Sequence, residues 1–135
     1  MKKDTSPDIN IAIQRSFEVE MQTLIDLILN TLDDSKIEDI KVLHLTHRSD
    51  LASYVIIGTG NSSRNILTTA EKLSDKIKSE YLYEMKINIE GTTKSPQWIL
   101  VDLQDIMVHL FTQEARDIYN LEKLYTEQKK TIDFS

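Results

Sequence analysis

The chain has 135 residues, 40% hydrophobic and 28% charged, and its 16 basic and 22 acidic side chains leave a net charge of -6. A chain of this length is expected to build a single core, and the acidic balance argues against affinity gained by neutralising phosphates, which needs Lys and Arg gathered on one face. With no Cys present, disulfide scaffolds and Cys-based zinc sites are excluded, and His44, His47 and His109 lack the paired spacing of a helical metal site.

No stretch approaches the ~18 to 20 apolar residues that span a bilayer, and the opening MKKDTSPDIN has no apolar run of the signal-peptide kind. The expectation is a cytoplasmic protein with no membrane contact and no direct nucleic-acid contact. Residues 1–14 are polar, contain Pro7 and show no sustained period, so they are expected to be a flexible arm. From Phe17 onward, Phe17, Met21, Leu24, Ile25, Ile28 and Leu32 fall on one helical face, and the Asp33-Asp34-Ser35 cluster ends that helix.

Ile40 to Leu45 reads as a short strand, and Thr46 to Asp50 as a polar connection. Tyr54 to Ile57 is apolar without alternation, as in a strand covered on both faces. It runs into GTGNSSR, residues 58–64, where two Gly permit a turn and Ser62 or Ser63 can cap the following helix. That helix carries Ile66, Ala70, Leu73 and Ile77 at helical spacing and should end near Glu80. Tyr83 to Ile89 alternates, which predicts a strand with one wet face.

Trp98 to Val101 and Ile106 to Phe111 are β-rich runs separated by a few polar residues, and runs so close can pair only antiparallel. Ala115, Ile118, Leu121 and Tyr125 then mark a closing helix, followed by a polar tail over residues 128–135 that is expected to be flexible. One helix lies between strands, in the connection from the second to the third, so the fold class is α/β. A mixed five-stranded sheet is expected, mostly antiparallel with one parallel pair, and with helices packed on it.

Three groups of residues carry candidate chemistry. Gly60, Ser62, Ser63 and Arg64 sit where a strand enters a helix, the geometry of an anion site, although neither phosphate-loop pattern is present and a capped turn without ligand is the plainer reading. Asp102, Asp105 and His109, with Glu114 beyond, could suggest a metal or acid-base site. On a strand, however, residues four apart are separated by ~13 Å, too far to share one ion. Trp98 and Leu100 share a face, and a lone Trp serves either as core or as an exposed aromatic anchor for a protein partner. Tyr119, Leu121, Leu124 and Tyr125 divide between the same two roles.

GTGNSSR after a central strand, then W-I-L-V-D followed by D-I-M-V-H-L-F, then E-A-R-D-I-Y-N-L-E-K-L-Y together resemble the ribosomal silencing factor family, also called Iojap-like. The resemblance spans Thr31 to Tyr125. Its most specific part is D-x-x-D-x-x-V-H with a downstream R-x-x-Y-x-L-E-x-L, matched by Asp102, Asp105, Val108, His109, Arg116, Tyr119, Leu121, Glu122 and Leu124. The chain departs from the pattern at His44, Ser53 and Tyr125.

The resemblance implies an Iojap-like α/β domain over residues 15–127, similar to the nucleotidyltransferase scaffold, with no catalytic residues, metal or cofactor. It implies a ribosomal silencing function in starvation or stationary phase. The domain would bind the large ribosomal subunit through its protein L fourteen and sterically block subunit joining, so that translation is repressed. Partner-binding residues are then expected at Trp98, Leu100, Asp102, His109 and Tyr119, and the same face could serve a homodimer. The alternative is a nucleotide-binding or nucleotidyltransferase enzyme, with Gly60 and Ser62 holding phosphates and Asp102 and Asp105 holding magnesium.

Overall fold

A computed structural model of the chain describes residues 7–45, 52–81, 85–123 and 125. The chain divides into two compact units, residues 1–30 and 31–135. Helix α1, Pro7–Asp34, begins in the first. It starts ahead of the expected boundary, so residues 7–14 are helical rather than an irregular arm. Pro at the first helical position forfeits no hydrogen bond, because that N–H has no partner within the helix, and no breaker follows until the Asp pair. Residues 1–6 and the expected flexible tail over 128–135 lie outside the described residues.

The second unit is built on a five-stranded sheet in the order β1-β2-β5-β4-β3. Its strands are β1, Glu38–His44; β2, Tyr54–Gly60; β3, Asn88–Glu90; β4, Trp98–Asp102; and β5, Ile106–Thr112. The hairpin of β4 and β5 pairs antiparallel, Trp98 opposite Phe111 and Leu100 opposite His109. Its turn is closed by Asp102 Oδ1, which accepts the Gln104 N–H at 2.8 Å while Gln104 takes φ 75°. A carboxylate that bonds its own backbone two residues on supplies the turn locally.

The mixed sheet has one parallel pair, as expected, but that pair is β2 with β5, not the two strands joined by the crossover helix. The strand after the crossover, β3, lies at the far edge against β4. It is also shorter than the alternation from Tyr83 predicts: residues 85–87 are not strand, and Tyr83 lies outside the described residues, as does the connection Thr46 to Asp50. Alternation marks which side chains face a covered surface. A ladder also needs a partner strand, and β4 offers β3 only the three positions opposite Leu100, Val101 and Asp102.

Helix α2, Ser63–Tyr81, buries Ile66, Ala70, Leu73 and Ile77. It packs on the back of the sheet, where Ile56, Val108, Leu110, Ile99 and Val101 are fully enclosed. Each such side chain contributes ~1.5 to 3 kcal/mol by burial. On the front face Val55, Ile57 and Phe111 pack with Leu45 and Ala115. Helix α3, Gln113–Ile118, covers that cluster but stops earlier than the apolar spacing predicts. The chain bends at Tyr119 and resumes helical geometry at residue 121, where Asn120 Oδ1 accepts the Lys123 N–H at 3.2 Å. Asn120 is thus the N-cap of a separate turn, a role Asn fills better than it fills a helix interior. Ile118, set by its spacing on the stripe of one closing helix, is 72% exposed.

Candidate docking surface

The front face of β4 and β5 gathers the residues singled out in the hairpin. Parity places Trp98, Leu100 and Asp102 beside Phe111, His109 and Met107 in that register. Leu121 and Tyr125 pack against the cluster around Phe111, and Tyr125 also lies against His109. Beyond them Trp98, Leu100, Asp102 and Met107 are half-buried, and Tyr119 is 49% exposed. Tyr119 lies 5.2 Å from the Trp98 ring and Phe111 4.9 Å from it. The result is a shallow apolar patch of Trp98, Leu100, Met107 and Tyr119, with Asp102 at one end.

His109 lies beneath this patch, 5% exposed. Trp98 Nε1 donates to His109 Nδ1 at 3.0 Å. An indole nitrogen can only donate, so Nδ1 is the acceptor and the neutral ring carries its proton on Nε2, 3.5 Å from Tyr125 Oη. Desolvation pulls the His109 pKa down to about 4, and burial also raises that of the Tyr125 phenol. His109 is therefore an uncharged support that orients Trp98 from below. Leu124 lies outside the described residues.

The turn at residues 58–64 is shaped largely by its own side chains. Ser62 Oγ accepts the Asn65 N–H at 3.0 Å, and Asn65 Oδ1 accepts the Asn61 N–H at 3.2 Å, a reciprocal cap. A Cβ at Gly60 would run into Asn65 and Ile66, so close helix packing by itself explains the glycine. Gly60, Ser62 and Ser63 do border a cleft of about 410 Å³ with Gln97, Thr112, Lys36, Glu38 and Glu114, whereas Arg64 does not line it. Two carboxylates against one ammonium make this cleft a poor anion trap. Asp102 is committed to its turn, Asp105 is exposed, and among the described residues no three His, Asp or Glu side chains are grouped to hold a metal ion.

One contributor to the patch was missed in the sequence. Met107 has the same parity as His109 and Phe111, so the alternation of β5 contained the signal.

Residues 18–135 match the family described as ribosomal silencing factor during starvation. The chain belongs to the ribosomal silencing factor family. The silencing factor of Zymomonas mobilis is 39% identical over 125 residues, covering 93% of this chain and 88% of that one. A crystal structure of a Chromobacterium violaceum protein superposes with a TM-score of 0.70 at 31% identity, covering 78% of this chain and 85% of its own. A mouse protein named for mitochondrial assembly of the ribosomal large subunit is 29% identical over 103 residues, covering 76% of this chain and 45% of its own. The family match extends ahead of the motifs at Thr31 to Tyr125 into α1. Among the described residues, no helix is long and apolar enough to cross a membrane.

Proposed function

We propose that this chain silences ribosomes by docking the front face of its β4-β5 hairpin on the large subunit's protein L fourteen, where its bulk keeps the small subunit from joining. The observation that carries this reading is the half-exposed patch of Trp98, Leu100 and Tyr119 on a rigid sheet. An aromatic anchor held in place, beside exposed apolar neighbours, is the usual form of a protein-binding hot spot. His109 serves from beneath by fixing the Trp98 ring, and Asp102 lies at the patch's edge. Membership of the silencing family and the mouse relative's named link to the large subunit both favour a ribosomal target. A net charge of -6 favours a basic ribosomal protein over bare RNA.

The mechanism is steric and involves no turnover. Nucleotidyl transfer would need carboxylates converging on ions ~4 Å apart, and Asp102 is instead folded into its own turn. Co-sedimentation with separated subunits tests the docking. The protein should travel with the large subunit, and Trp98→Ala should weaken that binding by about 2 kcal/mol or more. Equal binding by the variant would remove the basis of the proposal. A second copy on the same face is the competing occupant, and a homodimer that persists on isolated large subunits would count against the patch as the ribosomal contact.

A further inference from the structure

Tyr119 stands beside Trp98 although it lies just past a six-residue helix, at a bend in the chain. Isolated helices shorter than ~12 to 15 residues are marginal in water, so the place of this one must come from tertiary bonds. The last turn of α3 carries Arg116, 8% exposed. Its guanidinium reaches in three directions. Nη1 donates to Thr59 Oγ1 on β2 at 2.7 Å, Nη2 to the Asp39 carbonyl on β1 at 3.0 Å, and Nε to Glu122 Oε1 beyond the bend at 3.1 Å.

The Asp39 carboxylate adds an ion pair at 3.4 Å from Nη2. Asp39 lies at the irregularity of β1, with φ 51°. A planar fork of five donors can hold all these acceptors together, which a single ammonium cannot. Tyr125, three residues beyond Glu122, lies against His109. One side chain thus ties the bend, and the aromatic residues on both sides of it, to the first two strands.

We propose that Arg116 is the positioning residue of the docking surface: through Glu122 it keeps Tyr119 and Tyr125 against Trp98 and His109. This deepens the docking reading and rests on it. Arg116 is buried and meets no partner itself. Its effect is to present the aromatic pair already ordered, so that less conformational entropy is lost on binding.

Trp98 is the only tryptophan, so its fluorescence reports on the patch alone. Glu122→Ala cuts the bond beyond the bend and leaves the Thr59 and Asp39 bonds in place. Arg116→Lys keeps the charge and loses the fork. Each should shift Trp98 emission to the red, raise its quenching by acrylamide, and weaken binding to isolated large subunits by about tenfold, equivalent to ~1.4 kcal/mol. These effects should appear at a temperature where circular dichroism shows an intact fold. Glu122→Gln keeps an acceptor for Nε and should retain most of the binding.

If Arg116→Lys does not fold, Glu122→Ala decides. Unchanged Trp98 emission in a folded variant overturns the assignment, as does shifted emission with unchanged affinity, and both leave the docking reading standing. If the unsubstituted protein fails to bind large subunits, the docking reading falls and this assignment falls with it.

Discussion

His109 is nearly dry, and that fixes both its charge and its tautomer. In the unfolded chain the ring titrates near 6.5, whereas in the fold desolvation holds it to about 4. Between those values the unfolded state binds the proton and the folded state does not, so stability rises with pH through this window. The contribution of His109 is complete above about pH 6.5 and is lost as pH falls toward 4, a change of ~3 kcal/mol. Urea titrations across this range should show the loss. His109→Gln, which keeps an acceptor for the indole and cannot titrate, should flatten it. The partner group can be probed separately: Trp98→Phe preserves most of the ring packing but leaves His109 Nδ1 without its donor. That should cost ~1 to 3 kcal/mol in urea unfolding, even if a ribosomal partner tolerates the phenyl ring.

Among the elements, α3 shows how much a short helix owes to its ends. Thr112 caps it, accepting the Ala115 N–H at 3.4 Å, and the same hydroxyl donates to Gln97 Oε1 at 2.6 Å. Thr112→Val keeps the shape and loses both bonds, so a loss of ~1 to 2 kcal/mol is expected in thermal unfolding. A gain, or no change, would mean that the cap contributes little and that Arg116 alone holds the helix. The apolar spacing of Ala115, Ile118, Leu121 and Tyr125 suggested one continuous helix because each residue type suited it. The bend at Tyr119 depends on Asn120 capping a new turn and on Arg116 reaching Glu122 across it. Neither bond has a periodic signature. In α2 the stripe from Ile66 to Ile77 is buried along its length, so period and structure agree.

For the whole molecule, the proposed docking gives charge the approach to a partner and the patch the lifetime of the complex. A chain of net charge -6 meeting a basic protein should associate faster at low salt. Stopped-flow binding to large subunits is therefore expected to slow as ionic strength rises, while dissociation changes little. Light scattering of mixed subunits should show fewer joined particles as the protein is titrated in. Full joining at saturating protein would exclude a steric mechanism, even with binding intact.

Local chemistry was enough to specify much of this fold. The hairpin follows from two β-rich runs too close to cross over, and α2 from its apolar spacing behind a Ser cap. The enclosed β2 follows from an apolar run without alternation. The front-face partners of Trp98 likewise follow from strand parity.

Other features were decided only when distant segments met. The parallel partner of β2 is β5, beyond a helix and two strands, and pairing at that separation leaves no mark on neighbouring residues. His109 became a neutral support because Trp98 and Tyr125 closed over it, and Arg116 became a hub because Asp39, Thr59 and Glu122 converged on it. Sequence pattern records what each residue favours among its neighbours along the chain, whereas burial and hydrogen-bond geometry belong to the packed whole.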